Sequence, residues 1–425
     1  MTVASLPSRT ADQTLPHVSV LIASWNAEGS IERAIRSVLD DPALSVECVV
    51  VDDASTDRTG DLVATLAERD PRVVLVRQPE NRGVSAARNR GLEMTRGEWL
   101  TLLDADDRFV PGGLGRLVRA GDERGAQAVV GQQVWTDGRR RWVTDLYDIP
   151  DVRTARRTSL AAAPGLVYFA SPHAKVFRRA IVADLRFEGR VLGDQPWILR
   201  GLLRAGDALE VLDSTVYEWW RPAKAERSRA SSITASSRSS ARRGVEATDV
   251  ALGALRAVLR EAEQDVADPA LRARLGAAYV ERLLRSDLAG HLAGALNRRD
   301  PATAELLGGI ERFVAAAPAN LVRRSDALAR DILEPTLRTT PRLAHDARAA
   351  AWSLVSVAVD ADPRLWRNGS DPLARTALRL ATGIRRRGAR PAAVALLAAD
   401  ALPRWIARWL RRGRRVLDDR RRAGG

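Results

Sequence analysis

The sequence predicts an α/β fold in the first half of the chain and an all-α region in the second half. The first observation is that four apolar runs of strand length alternate with helix-like segments between residues 18 and 107. This alternation is typical of a parallel sheet that is covered by helices on both faces. The second observation is that Ala, Leu and Arg recur at helical spacing from about residue 244 onward.

The elements of the α/β part follow one another in a regular order. The predicted strands are VSVLIAS (18–24), VECVVVDD (46–53), VVLVRQ (73–78) and EWLTLLDADD (98–107). The helix-like segments between them are SIERAIRSVLD (30–40), TGDLVATLAERD (59–70) and SAARNRGLEMT (85–95). From about residue 126 the sequence is mixed and β-rich, and it ends in a helix-like PWILRGLLRAG (196–206) and a last strand ALEVLDSTVYEWW (208–220).

These elements predict four regions. Residues 1–16 are expected to form a polar, disordered tail, and residues 17–222 the α/β domain. Residues 223–243 are rich in Ser and Arg and almost free of apolar side chains, which indicates a loop or a lid. Residues 244–425 are expected to form a basic, all-helical C-terminal domain, with prolines between its helices.

The composition excludes several classes of protein. With 45% hydrophobic and 28% charged residues, the chain is typical of globular proteins. One cysteine, Cys48, and four scattered histidines exclude a disulfide framework and a Cys-based or His-clustered metal site. The opening residues lack the pattern of a secretory signal, and no apolar run reaches membrane-spanning length. We therefore expect a cytoplasmic protein, with attachment to the inner face of the membrane as an alternative.

The excess of positive charge is confined to the second half of the chain. Residues 1–222 contain 29 basic and 31 acidic side chains, whereas residues 223–425 contain 38 and 22, a net charge of +16. Coding bias toward Arg does not explain why the excess lies at one end. It indicates an anionic partner, such as a phosphate polymer, nucleic acid or lipid headgroups.

Acidic residues follow two of the predicted strands. Asp104, Asp106 and Asp107 come within four residues of one another, where carboxylates repel unless a cation lies between them. Mg²⁺ or Mn²⁺ carrying a diphosphate would suit such oxygen ligands. The alternative is an acidic turn that caps the next element. Asp53 follows the second strand, where the alternative is a simple helix cap, and Arg88 is expected at the same edge of the sheet.

Taken together, these sequence segments resemble the inverting family 2 glycosyltransferases, which have the GT-A nucleotide-sugar-binding fold. The matching segments are VSVLIASWNAEGSIERAIRSVL, VVVDDASTDRT and ENRGVSAARNRGLEMTRGEWLTLLDADD. The resemblance implies a UDP-sugar donor and a Mn²⁺ or Mg²⁺ cofactor. It implies that Trp25 lies against the uracil ring, Asp53 binds the base, Arg88 supports the nucleotide, Asp104 lies near the ribose and Asp106 holds the metal. The nucleotide-sugar site as a whole would comprise Ala23, Trp25, Asn26, Asp53, Arg88, Asp104 and Ala105.

Two further segments resemble this family, SPHAKVFRR (171–179) and the residues around GDQPW. Family members carry an Asp, often preceded by Glu, at the start of a helix, and this Asp is the usual general base. Here the pair is Gly193-Asp194, so the Glu is absent and Asp194 is the implied base. The alternative for Asp194 is a helix cap. His173 would approach the metal or the diphosphate, and a structural histidine is the alternative.

The motif DQPW and the later Ser232-Ile233-Thr234 resemble motifs of those family members that glycosylate wall teichoic acids and related cell-envelope polymers. This implies an anionic polysaccharide or polyol-phosphate acceptor. Acceptor or diphosphate contacts are expected from Asp107, Arg221, Arg227 and Arg229. The C-terminal domain is expected to bind the acceptor, to contact the inner membrane surface or to form a homo-oligomer. No motif for specific nucleic acid binding is recognisable.

The sequence therefore predicts a metal-dependent inverting hexosyl- or N-acetylhexosaminyltransferase. Two alternatives remain open. A nucleotidyltransferase-like α/β enzyme would use the same acids for metal-bound phosphates, although the expected phosphate loop after the first strand is missing. A protein that binds an anionic polymer or nucleic acid through its basic C-terminal half is the alternative from another class.

Overall fold

The computed structural model describes residues 15–41, 44–143, 147, 149–189, 192–220, 241–288, 290–292, 295 and 302–318. The strands are β1 (Val18–Ser24), β2 (Val46–Asp52), β3 (Val73–Arg77), β4 (Trp99–Leu102), β5 (Arg108–Phe109), β6 (Ala128–Thr136), β7 (Arg141–Val143), β8 (Arg157–Thr158), β9 (Lys175–Arg178) and β10 (Leu209–Trp220).

The helices alternate with the strands and then continue alone. The α-helices are α1 (Ile31–Leu39), α2 (Thr59–Arg69), α3 (Val84–Leu92), α4 (Gly113–Glu123), α5 (Pro150–Thr154), α6 (Arg179–Val182), α7 (Asp194–Arg204), α8 (Ala241–Asp265), α9 (Pro269–Arg282) and α10 (Thr303–Ala316). Short 3₁₀-helices span Pro164–Phe169 and Gly206–Ala208, and a π-helix spans Leu283–Leu288. None of the helices in the described residues is both long and apolar enough to cross a membrane.

The described strands form one sheet in the order β3-β2-β1-β4-β9-β6-β10-β5, with β7 paired to β6 and β8 to β10. Strands β1 to β4 are parallel to one another. Strand β9 runs antiparallel between β4 and β6, and β10 is parallel to β6. The carboxyl ends of β1, β2, β4, β6 and β10 therefore meet at one edge of the sheet, where ligands bind in α/β proteins.

The predicted strands and helices of the first hundred residues are confirmed, and their burial explains the pattern. All seven residues of β2 and all four of β4 are buried, which accounts for the long runs of apolar residues in these strands. Helix α1 buries residues three and four apart, Ile31, Ala34, Ile35 and Val38, against this sheet. Cys48 is buried in β2, and burial raises the pKa of its thiol to about 12, so it acts as a small core hydrophobe.

The described residues divide into two compact units. The first unit contains the sheet together with residues 254–278, and the second contains residues 236–253 and those from 279 onward. Within the first unit, Arg200 Nε of α7 donates to Glu261 Oε2 of α8 at 2.7 Å, and Arg204 pairs with the same carboxylate. Residues 254–278 therefore belong to the unit that contains the sheet, and the predicted domain boundary at residue 244 remains a prediction.

Candidate active site

Two loops at the carboxyl ends of β1 and β2 are joined by hydrogen bonds. The N–H of Thr56 donates to Asn26 Oδ1 at 2.8 Å, and the N–H of Asn26 donates to Ser55 Oγ at 3.0 Å. The N–H of Ala27 donates to Thr59 Oγ1 at 2.7 Å. Because the polar side chains of one loop satisfy backbone groups of the other, the two loops form one fixed rim.

The predicted residues of β1 lie at this rim. Ala23 is half-buried near the end of the strand, and Ser24 is buried beyond it. Trp25, the next residue, is 37% exposed. An indole that stays this exposed at the ligand-binding edge of a sheet is available to contact a planar ring.

Asp53 is buried at the end of β2 and accepts three hydrogen bonds. Its Oδ1 accepts from Gln78 Nε2 at 2.6 Å and from the N–H of Arg82 at 2.8 Å. Its Oδ2 accepts from the N–H of Gly83 at 2.8 Å. Gly83 has a φ of +88° and directly precedes α3. Asp53 therefore fixes the start of the helix that carries Arg88, and its predicted contact with a nucleotide base remains a prediction.

Arg88 and His173 meet at the carboxylate of Asp104. Arg88 Nη2 donates to Asp104 Oδ1 at 2.9 Å, and His173 Nε2 lies 2.9 Å from Asp104 Oδ2. Burial alone would raise the pKa of Asp104, but the hydrogen bond with His173 and the charge of Arg88 lower it well below its ordinary value. Asp104 is therefore ionised at neutral pH.

Asp107 is fully buried, and its Oδ2 lies 3.6 Å from the same His173 Nε2 atom. Tyr217 Oη donates to Asp107 Oδ2 at 2.9 Å, and the N–H of Trp220 donates to Asp107 Oδ1 at 2.7 Å. Burial, followed by the charges of Asp106 and Asp104, raises the pKa of Asp107 well above its ordinary value. In this conformation Asp107 contacts groups of the protein itself, and its predicted contact with an acceptor or diphosphate remains untested.

Asp106 occupies the position between these two acids, after the buried Ala105. Burial and the negative charge of Asp104 raise the pKa of Asp106 to about 6. Arg33 Nη2 of α1 donates to the backbone carbonyl of Asp106 at 2.8 Å, which fixes the turn. The carboxyl group of Asp106 would therefore ionise more readily beside a cation.

The residues at this edge fit a divalent cation. Within the described residues, ligand atoms of Asp104, Asp107 and His173 lie within 4.8 Å of one another. Carboxylate oxygens and an imidazole nitrogen suit Mn²⁺, and carboxylates suit Mg²⁺. The Nδ1 atom of His173 is buried without a hydrogen-bond partner. The contacts of the Nε2 atom with the carboxylates therefore set the orientation of the imidazole ring. Asp106, the predicted ligand, lies outside this group, and its metal role remains a prediction.

Asp194 begins α7 at a tightly packed position. Helix α7 starts at Asp194 itself, with Gly193 at the N-cap and no side-chain cap hydrogen bond. This gives no support to the alternative that Asp194 is a capping residue. A Cβ on Gly193 would lie 2.3 Å from the carbonyl oxygen of Glu188 and 2.7 Å from Ser85 Oγ. Close packing therefore leaves no room for a side chain at residue 193.

The segment before α7 is attached to α3. Asn89 Nδ2 donates to the carbonyl oxygen of Phe187 at 2.9 Å, and the N–H of Phe187 donates to Asn89 Oδ1 at 2.8 Å. The guanidinium of Arg88 lies over the ring of Phe187, 5.5 Å from its centroid. Since Ser85 contacts Gly193 from the same helix, α3 connects the start of α7 to the acidic cluster.

Left-handed backbone conformations are concentrated at the predicted site residues. Among the described residues, the non-glycine residues with positive φ are Asn26, Ala54, Ala174 and Leu192, with values between 49° and 56°. Asn26 is itself a predicted site residue. The other three lie within two residues of Asp53, His173 and Asp194, respectively. Such conformations cost about 1–2 kcal/mol for side chains other than Gly, and strain of this kind is typical of functional sites.

Sequence reasoning missed two residues that support the site, Tyr217 and Arg33. Tyr217 is 110 residues from Asp107 in sequence, and nothing in the local pattern of either indicates their contact. The predicted residues Arg221, Arg227 and Arg229, and the text Ser232-Ile233-Thr234, lie outside the described residues.

The chain is similar to known glycosyltransferases in sequence and in fold. Residues 19–186 match the family described as Glycosyl transferase family 2. The succinoglycan biosynthesis protein ExoO of Rhizobium meliloti is 35% identical over 204 residues, which are 48% of this chain and 56% of ExoO. The GalNAc(5)-diNAcBac-PP-undecaprenol beta-1,3-glucosyltransferase of Campylobacter jejuni is 32% identical over 110 residues, 26% of this chain and 36% of that enzyme. The chain thus spans about half the length of ExoO and less of the second relative.

A solved structure matches most of the fold. The fragment 1–349 of S. aureus TarS, crystallised with UDP-GlcNAc, has a TM-score of 0.57 and 18% sequence identity to this chain. The match covers 83% of this chain and 92% of the fragment. The family match and this shared fold confirm the predicted GT-A architecture with helices in the C-terminal part.

Proposed function

Because residues 19–186 match the family described as Glycosyl transferase family 2, we propose that the chain transfers a sugar from a UDP-sugar to an acceptor hydroxyl with inversion at the anomeric carbon. The transferred group is a hexosyl or N-acetylhexosaminyl unit. The acceptor is a cell-envelope polysaccharide or polyol-phosphate chain.

The observation that carries this proposal is the cluster of Arg88, Asp104, Asp107 and His173 at the carboxyl edge of the sheet. The cluster combines a cation, two carboxylates and an imidazole in one place. Diphosphate groups bind where cations offset their charge, either directly through a guanidinium or through a metal ion held by carboxylates.

The nucleotide would bind across the rim that joins the ends of β1 and β2. The exposed face of Trp25 is suited to stack on uracil, and Asp53 lies at the end of the neighbouring strand. Asp53 is already bound to the backbone before α3, so it contributes by holding that loop in position and through its remaining acceptor capacity. Binding of UDP-GlcNAc by the TarS fragment, which shares the fold, supports a UDP-sugar as donor.

A Mn²⁺ or Mg²⁺ ion would be held by Asp104, Asp107 and His173, with Asp106 as the ligand that the family resemblance implies. When bound, such an ion would offset the negative charge that develops on the departing UDP. His173 and Arg88 together keep Asp104 ionised and oriented, and Tyr217 orients Asp107 through its hydroxyl group.

Asp194 is the proposed general base. The acceptor oxygen forms a bond to the anomeric carbon, the bond from that carbon to UDP breaks, and the acceptor proton moves to the carboxylate of Asp194. A direct displacement needs only this one carboxylate, since no covalent glycosyl-enzyme intermediate is formed. Asp194 is half-buried at the start of α7, and no side-chain cap hydrogen bond is made there, so its carboxylate is not engaged in capping the helix.

The proposed acceptor class is supported by the relatives and by charge. ExoO is named for succinoglycan biosynthesis, and the Campylobacter enzyme for transfer to a lipid-linked glycan. The net charge of +16 on residues 223–425 favours an anionic chain. Arg221, Arg227 and Arg229 remain the proposed contacts to its phosphate or to the donor diphosphate.

The proposal is tested by UDP release from a panel of UDP-sugars, with Mn²⁺, with Mg²⁺ and with EDTA. We expect metal-dependent UDP release that Asp106→Ala abolishes, together with a loss of UDP-sugar affinity. Asp61→Asn is the matched control, because the side chain of Asp61 is 78% exposed on α2. Release of pyrophosphate would indicate nucleotidyl transfer instead, and full activity of Asp106→Ala in excess EDTA would contradict the metal site.

A further inference from the structure

Three tryptophans line one face of the sheet beside the candidate site. Trp142 of β7 pairs in register with Trp135 of β6, and Trp135 pairs in register with Trp219 of β10. Residues directly opposite one another in neighbouring strands project to the same face. The rings of Trp135 and Trp219 are stacked, with centroids 3.8 Å apart. We call Trp142, Trp135 and Trp219 the tryptophan row.

The tryptophan row is continuous with the acidic cluster. The ring of Trp219 lies 5.1 Å from the ring of His173, measured between centroids. His173 in turn contacts Asp104. Trp135 and Trp219 both lie near the carboxyl ends of their strands, which is the edge where the cluster is found. The row therefore extends from the candidate catalytic site to the outer strand β7.

The tryptophan row is not part of the hydrophobic core. Trp99 and Trp197 are fully buried, as large core side chains usually are, whereas Trp142 is 44% exposed and Trp135 and Trp219 are half-buried. An exposed tryptophan that continues into partly exposed aromatic rings next to a candidate catalytic site indicates a binding surface. The core does not require them, so their exposure needs another explanation.

We propose that the tryptophan row binds pyranose rings of the acceptor glycan and leads its terminal hydroxyl toward the acidic cluster. This rests on the proposed function. Because Trp135 and Trp219 are stacked on each other, the indole of the row that is most exposed to a sugar is that of Trp142. The face of an indole carries negative potential, and the C–H bonds on the face of a pyranose ring are polarised positively by neighbouring oxygens. Rings with equatorial substituents, as in β-linked glucose chains, present the flattest such faces. The row therefore favours a β-linked, glucose-configured chain.

The proposal is tested by titrating the full chain with cellopentaose and measuring the dissociation constant by saturation-transfer NMR. Trp142→Ala should weaken binding about five-fold or more, and Trp142→Tyr should restore most of it because an aromatic face is kept. Val143→Ala is the control, because Val143 is also exposed on the same strand (62%, against 44% for Trp142) and faces the opposite side. It should bind cellopentaose as the wild-type chain does.

Two further measurements separate the possible results. UDP affinity is measured on the same proteins, so that a failure of the donor site in the wild-type chain is distinguished from a failure of the tryptophan row. Sedimentation of Trp142→Ala shows whether the row instead contacts a second copy of the chain. The proposal is overturned if the wild-type chain does not bind cellopentaose, if Trp142→Ala binds it normally, or if this variant changes only the oligomeric state.

Discussion

Replacing Gly193 with Ala tests whether the position of Asp194 controls turnover. Gly193 has φ −67° and ψ −16°, a backbone conformation that alanine adopts without strain. The added Cβ, however, would lie 2.3 Å from the carbonyl oxygen of Glu188 and 2.7 Å from Ser85 Oγ. The effect of the substitution is therefore steric, and it acts on the residue directly before Asp194.

The size of the effect follows from these contacts. Ordinary contacts of a Cβ begin at 3.4 Å, so the backbone at residue 193 or 188 must move by roughly 1 Å to relieve the overlap. The Glu188 atom belongs to the main chain, and a side-chain rotation cannot remove it. A displacement of about 1 Å at a reacting group lowers the rate by about 10²-fold. Overpacking of this kind costs about 1–3 kcal/mol of stability.

We therefore expect Gly193→Ala to lower kcat about 10²-fold while UDP affinity stays within a few-fold of the wild-type value. Turnover is followed by UDP release, affinity by calorimetry and stability by denaturant unfolding. Gly253→Ala is the control, because a Cβ on this exposed residue of α8 would have no heavy atom within 4 Å. It should leave turnover unchanged and stabilise the helix by about 0.5–1 kcal/mol. Normal turnover of Gly193→Ala would refute the reasoning.

Two further substitutions test the supports of the site. Asp53→Asn removes one hydrogen-bond acceptor from the loop before α3 and leaves the N–H of Gly83 unpaired. We therefore expect the free energy of unfolding to fall by about 1–3 kcal/mol and the affinity for UDP to fall with it. Unchanged values of both quantities would contradict this role of Asp53. Glu261→Gln weakens the buried ion pairs that join α8 to Arg200 and Arg204 of α7, and it should destabilise the chain in denaturant unfolding by about 1–3 kcal/mol. The exposed Glu263→Gln should change stability by less than about 0.5 kcal/mol, and equal effects of both variants would show that the pairing contributes nothing.

Strands β1, β2 and β4 were predictable because they are buried along nearly their whole length, whereas β3, at the edge of the sheet, is buried only at its start. Strand β1 is observed at Val18–Ser24, the range that its apolar run predicts. Strand β4 is shorter than predicted, since it ends at Leu102 and Asp104 follows in the turn. The acids at the strand ends were also predictable, because parallel strands bring their carboxyl ends to one edge.

The remainder of the site depends on contacts between distant residues, which periodicity does not reveal. The antiparallel insertion of β9 between β4 and β6 brings His173 to Asp104, 69 residues away in sequence. The hydrogen bond from Tyr217 to Asp107 likewise joins residues that are far apart in the sequence. The alternative of a helix cap for Asp194 could be weighed only once the start of α7 and the packing of Gly193 were known.

The most direct test of the proposed mechanism is the turnover of Asp194→Asn, measured by UDP release together with its affinity for UDP. The amide preserves the size and shape of the side chain at the start of α7 but cannot accept a proton at neutral pH. We predict UDP affinity within a few-fold of the wild-type value and turnover reduced by about 10²-fold or more. Ordinary turnover of Asp194→Asn would contradict its assignment as the base and would leave it a structural residue of α7.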